Sequence, residues 1–197
     1  MALGCAVRPK TAPVDAQALA LTASASVPRG ATGDLVRALA SDDFVARSRA
    51  AEALVAQGER ALPALGAAGD QPVAAHGRVA VSTTRPVVAA ILSTVPEERL
   101  VRVHLPSDAA LVRRGAAEEL GRREAWGGVP DLIERLSDED AGVRVASIGA
   151  LRRITNRFYD ADAAAPASTR VAAVERGREW WNREGRLAAP EPARRSG

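Results

Sequence analysis

Aromatic residues are scarce in this 197-residue chain: three Trp, two Phe and one Tyr, 3% in all. Strands of sandwiches and barrels draw on β-branched and aromatic residues, so the scarcity argues against an all-β fold. A single cysteine, Cys5, excludes an intrachain disulfide. Two histidines, His76 and His104, stand in unrelated settings with no Cys or second His at metal-ligand spacing. No apolar run approaches the roughly 18 residues of a membrane-spanning helix. Phosphate loops, dinucleotide fingerprints and nucleophile elbows are also missing. The carboxylates fall in turns and on outer faces, not as an apolar-flanked pair suited to acid–base work. The expectation is a protein with no catalytic residue, no metal ligand and no cofactor. Lysine is the last shortage: Lys10 stands alone, and arginine carries the remaining positive charge, which a high-GC coding bias explains.

What the chain has is alanine, 43 residues of it. Alanine is the best helix former and buries little area, so the composition predicts helices packed closely through small side chains. Leu, Val and Ile recur in order and the net charge is only +3, which argues against wholesale disorder. The charge is uneven. From Ala141 to Gly197 there are 11 Arg against 6 acidic residues. A basic end could meet an anionic partner, although a solvated helical face explains it as well.

An internal repeat sets the architecture. Anchored on Leu39, Leu105 and Leu136, an arginine follows eight residues later (Arg47, Arg113, Arg144) and a leucine fifteen later (Leu54, Leu120, Leu151). Small residues stand at plus eleven: Ala50, Ala116 and Ser147. Polar turns follow each anchor: Ser41-Asp42-Asp43, Pro106-Ser107-Asp108 and Ser137-Asp138-Glu139-Asp140. Val129, Leu132, Ile133 and Leu136 share one helical face, and Val143, Ala146, Ala150, Leu151 and Ile154 mark the buried side of a second helix. Each unit is thus a helix–turn–helix that buries one side and must stack on a neighbour.

These residues, Leu-Ser-Asp-Glu-Asp followed by Val-Arg and Ala-Leu, resemble a HEAT repeat of the short type seen in phycobilisome-lyase-like proteins. The resemblance covers about residues 34–156. It implies an all-α fold, an α–α superhelix of about four helical hairpins whose second helices line a concave surface. The family name alone raises a lyase-like activity, and the missing catalytic constellation speaks against it.

The second unit departs from the pattern. Leu62, Pro63 and Leu65 open a first helix, and Leu65 to Leu105 spans 40 residues. The expectation is a helix from Val73 to Val81, a break at Ser82 to Arg85, and another helix from Pro86 to Ser93. At the far end Val171, Val174 and Trp181 form a helical stripe. Phe158, Tyr159, Trp180 and Trp181 resemble the aromatic cap unit of bacterial HEAT proteins, although the two tryptophans here are adjacent. The domain reading is a lead over 1–30, repeats and cap over 31–186, and a disordered tail over 187–197.

The lead opens Ala2-Leu3-Gly4-Cys5, which resembles a bacterial lipobox without its basic and apolar upstream regions. Cys5 is therefore either a lipidation site, which would place the protein in the cell envelope, or an ordinary residue of a cytoplasmic protein. Two residue sets follow from the repeat register. Asp42 with Arg47, Asp108 with Arg113, and Asp138 with Arg144 form a structural ladder, each arginine reaching back to the turn carboxylate or its carbonyls. Arg49, Glu52, Arg114, Glu118, Arg122, Arg152 and Arg153 point away from the core and form the candidate partner-binding face. The expected partner is a protein bound by a monomer, with membrane contact only through a lipid. The alternative is nucleic acid bound by the basic C-terminal units.

Overall fold

The computed structural model describes residues 31–69, 81–157 and 161–190, with Val81 and Ser82 described by their backbone alone. All regular structure among these residues is helical, without a strand. Nine main helices follow in order: α1 Thr32–Ala38, α2 Phe44–Gln57, α3 Leu62–Gly69, α4 Val81–Leu92, α5 Glu97–Arg99 widened into a π turn over Leu100–His104, α6 Ala110–Arg122, α7 Val129–Glu134, α8 Ala141–Thr155 and α9 Ala167–Trp180. A second π turn, Trp181–Gly185, and a short α10, Arg186–Ala188, extend α9.

The helices pair as hairpins: α1 with α2, α3 with α4, α5 with α6, and α7 with α8. Second helices stack on one another in chain order, α2 on α4, α4 on α6 and α6 on α8. Among the first helices, α1 packs on α3. The array is an all-α superhelix of four hairpins. The periodic positions explain it. Leu39, Leu105, Leu136, Leu54, Leu120 and Leu151 are all buried, as are Ala50, Ala116 and Ser147. Their side chains join one continuous apolar core running from Leu35 to Val174.

Local signals set the helix starts. Asp43 accepts the Val45 N–H at 2.8 Å, and Asp140 accepts the Val143 N–H at 2.9 Å. Each satisfies one of the donors that a helix N-terminus leaves unpaired. The α6 terminus is a Schellman turn: the Ala125 N–H bonds the Leu120 carbonyl at 3.0 Å and the Glu124 N–H bonds the Gly121 carbonyl at 3.2 Å. That turn places Glu124 at φ 53°, a left-handed position usually held by glycine.

The second unit corrects the expectation. No break occurs at Ser82 to Arg85; α4 runs through them with Pro86 inside it, while residues 73–80 lie outside the described residues. Proline costs a helix interior about 3 kcal/mol. Thr84, Val87, Val88, Ile91 and Leu92 are all buried on one 3.6-residue stripe. Burying an aliphatic side chain is worth about 1.5–3 kcal/mol, so four of them outweigh the proline.

At the far end, α9 packs on α7 and on the turn after it. Its buried stripe is Ala173, Val174 and Gly177, and Val171 faces solvent. Trp180 and Trp181 are partly buried against the core, with ring centroids 6.1 Å apart and planes tilted by 58°. Phe158 and Tyr159, expected in the same cap, lie outside the described residues. The boundary expected at 186/187 falls inside α10, and Ala189 is buried, its N–H bonding the Gly185 carbonyl at 3.0 Å.

Candidate functional site

The repeated arginines occupy the fourth position of α2, α6 and α8. From there a guanidinium reaches back over its own turn. Arg47 Nη1 donates to the Ser41 and Asp42 carbonyls at 2.6 and 2.9 Å. Arg113 Nη1 donates to those of Ser107 and Asp108 at 3.0 and 2.8 Å. Arg144 Nη1 donates to those of Asp138 and Glu139, both at 2.8 Å. Within each unit the acceptors are therefore carbonyls rather than the carboxylates of Asp42, Asp108 or Asp138. The turn carbonyls lie along the chain path that the arginine crosses, whereas the Asp43 and Asp140 carboxylates cap their helices and Asp138 faces the neighbouring unit.

The other edge of the guanidinium joins units. Arg113 Nε and Nη2 donate to the two Asp138 carboxylate oxygens at 3.0 and 2.9 Å, and Nη2 also reaches Glu139 at 3.1 Å. Arg144 Nε donates to the Ala163 carbonyl at 2.7 Å. Arg113 and Asp138 are both buried, at 5% and 8% exposure. Burial pushes the Asp138 carboxyl up. The Arg113 hydrogen bonds, the Asp140 N–H and the charges of Arg113 and Arg135 outweigh it and hold the carboxyl below its ordinary value. For Arg113, burial favours deprotonation, and bonding to Asp138 and Glu139 more than compensates. The three arginines staple turns.

Arg170 is a staple that the sequence reading missed. It is the fourth residue of α9, and its Nη1 donates to the Ala165 carbonyl at 2.6 Å, five residues back as in the other units. Its signal was hidden because Asp162 stands where the leucine anchor would be. Glu59 is a second residue not singled out. It accepts Arg99 Nη2 at 2.7 Å and lies 2.7 Å from Nε2 of the buried His104. The Arg99 hydrogen bond is the largest influence on Glu59 and holds its carboxyl below the ordinary value, against the effect of burial and with further help from His104. His104 thus ties the π turn of α5 to the turn after α2.

The candidate partner face divides into two groups. Arg49, Glu52, Arg152 and Arg153 are exposed. Arg114 and Glu118 are half-buried and paired at 3.0 Å, and Glu118 also accepts Arg85 from α4 at 2.8 Å. Arg122 is exposed but donates twice to the buried Glu119, at 2.8 and 2.6 Å. Arg122 bonding, helped by Arg123, holds the Glu119 carboxyl low despite burial. So α6 pairs both of its face cations with carboxylates of its own helix, while the face residues of α2 and α8 are exposed. Cys5 lies outside the described residues. Among the described residues no helix is long and apolar enough to cross a membrane, and no cluster of His, Cys, Asp and Glu could hold a metal ion. No known protein family, curated protein or solved structure matches this chain.

Proposed function

We propose that this chain is a non-enzymatic repeat scaffold of the HEAT type that binds a protein partner through its second-helix layer. One contrast carries the reading. The arginines common to the repeats bond turn carbonyls and the Asp138 carboxylate inside the stack, whereas Arg49, Glu52 and Arg153 are exposed on stacked second helices. A mixed-charge exposed surface on a rigid stacked core suits recognition of another protein, and complementary charge would set the register of the pair.

The nucleic-acid alternative is weaker. Affinity for duplex DNA scales with the number of phosphates neutralised, and Arg114 and Arg122 already have carboxylate partners. A photo-crosslinking residue placed at Arg49 or at Arg153 should capture the same partner, and the same probe at Val171, exposed on α9 outside the second-helix layer, should not. No adduct from either position, or retardation of duplex DNA that falls steeply with salt, would turn the reading toward nucleic acid. Lipidation at Cys5 would tether the scaffold to the cell envelope. Acyl-chain labelling that disappears in Cys5→Ser supports that part, and labelling absent from the native chain sinks it.

A further inference from the structure

Two clusters on the second-helix layer hold more arginine than carboxylate. In the first, Glu118 Oε1 accepts Arg85 Nη2 from α4 at 2.8 Å and Arg114 Nε at 3.0 Å. Two guanidinium groups thus converge on one oxygen, and all three side chains reach solvent, at 47%, 28% and 32% exposure for Arg85, Arg114 and Glu118. In the second, the buried Glu119 is shared between Arg122 and Arg123. Arg123 is turned inward onto the carbonyls of Leu92, Ser93 and Val95, which leaves Arg122 as the surface cation. Among the described residues, each cluster therefore carries one positive charge without a counter-charge.

Arg114, Glu118 and Arg122 stand four residues apart along α6, so they share one face of the helix. The row reads positive, negative, positive, with about 12 Å of helix between the two arginines. Beside it α8 presents Val145, 56% exposed, and Gly149, with nothing near its Cβ position. Arg114 Nη1 lies 3.1 Å from where a Cβ on Gly142 would stand, so this guanidinium overhangs the first turn of α8.

Sparse carboxylates fit this row. An extended peptide rises about 3.3 Å per residue and returns to the same side every second residue, so acidic residues four apart stand about 13 Å apart on one side. One carboxylate neutralises the extra charge of each cluster, and the guanidinium N–H groups not engaged by Glu118 or Glu119 supply the donors. A phosphate dianion would overshoot that charge beside Glu118. A nucleic-acid strand, charged at every nucleotide, would set phosphates against Glu118 itself.

Given the scaffold reading, on which this rests, we propose that the second-helix layer takes an extended acidic segment of its protein partner. One carboxylate of the segment sits on Arg85 and Arg114, and a second, four residues away, sits at Arg122.

The test uses the isotope-labelled full chain and a blocked peptide whose only charges are two glutamates four residues apart. The Nε–H resonances of Arg85, Arg114 and Arg122 are the readout, assigned from Arg85→Gln, Arg114→Gln and Arg122→Gln. All three should shift together, and the affinity should fall with added salt. Arg114→Gln should weaken binding about threefold or more, and Glu118→Gln, which removes the competing carboxylate, should strengthen it. Glutamates five residues apart face opposite sides and should bind more weakly. Resonances that stay still at millimolar peptide overturn the proposal, as do equal affinities for the two spacings or weaker binding by Glu118→Gln. Tighter binding of a phosphoserine peptide or of duplex DNA overturns it too. A partner crosslinked from Arg49 and Arg153 with no response to the peptide removes the acidic segment and leaves the scaffold reading standing. A peptide response with no crosslinked partner supports the carboxylate sites and counts against the scaffold reading.

Discussion

Among the described residues, the Arg113 guanidinium joins its own turn to the next unit. Five acceptors meet its guanidinium: two carbonyls of its own turn, both Asp138 oxygens and Glu139. Lysine has three donors on one nitrogen and cannot match that fork. Arg113→Lys should therefore destabilise strongly although charge is kept. Asp138→Ala leaves a buried cation without its partner and should cost about 3–5 kcal/mol, read as a fall in the urea midpoint at constant slope. Glu124 makes the opposite case. It holds a left-handed turn position where a side chain costs roughly 1 kcal/mol relative to glycine, and a Cβ-free residue would relieve it. Glu124→Gly should raise stability by about 1 kcal/mol in the same assay.

At the scale of elements, the seams depend on glycine as much as on alanine. The α6–α8 contact is the most extensive among the described residues. A Cβ on Gly121 would stand 2.7 Å from the Ala150 Cα, which is backbone and cannot rotate away. The same closeness recurs where a Cβ on Gly177 would stand 2.8 Å from the Ile133 side chain and where one on Gly66 would run into the Ala109 Cβ. Gly121→Ala should thus force the two second helices apart and cost about 1–3 kcal/mol, visible as a lower Tm with helical circular dichroism retained. Gly149 is the internal control: it lies in α8 with nothing near its Cβ position. Gly149→Ala should be neutral or stabilising, by up to about 1 kcal/mol from helix propensity.

For the whole molecule, stability should fall in acid. The carboxyls of Asp138, Glu119 and Glu59 are held below their ordinary values in the folded chain, by Arg113, Arg122 and Arg99 respectively acting with lesser partners against burial. A carboxyl with a depressed folded pKa contributes stability that is complete above its unfolded pKa, about 3.9 for Asp and 4.3 for Glu. That contribution is lost as pH falls through the folded value. Asp131 runs the other way: partial desolvation by its surroundings raises its carboxyl, so its ionised form is a small penalty at neutral pH. Thermal melts should show a plateau near neutrality and a steep decline below about pH 4, with the decline reduced in Asp138→Asn. A Tm independent of pH down to 3 would contradict this account.

The repeat register was legible in the sequence because its signal is local. Leucines at fixed offsets, small residues at plus eleven and an acidic turn before an arginine each act within one hairpin, and helix propensity with capping suffices to place them. The unbroken α4 was not legible, because Pro86 and the polar run before it favour a break locally, and only burial of Thr84, Val87, Val88, Ile91 and Leu92 between neighbouring units reverses that preference. Arg170 was missed for a similar reason: its turn geometry repeats while its anchor residue does not. Of the candidate face, sequence placed the residues on outward positions, and Arg114 and Arg122 pair with Glu118 and Glu119 one turn away, but the approach of Arg85 from α4 to Glu118 depended on how the hairpins stack. The sequence by itself determined that the chain is helical, built of one-sided hairpins that must stack, and stapled at their turns. Only the tertiary structure decided that Arg85 of α4 joins the Arg114–Glu118 pair and that Asp138 is buried against Arg113 of the preceding hairpin, because both depend on distances between units that no local pattern encodes.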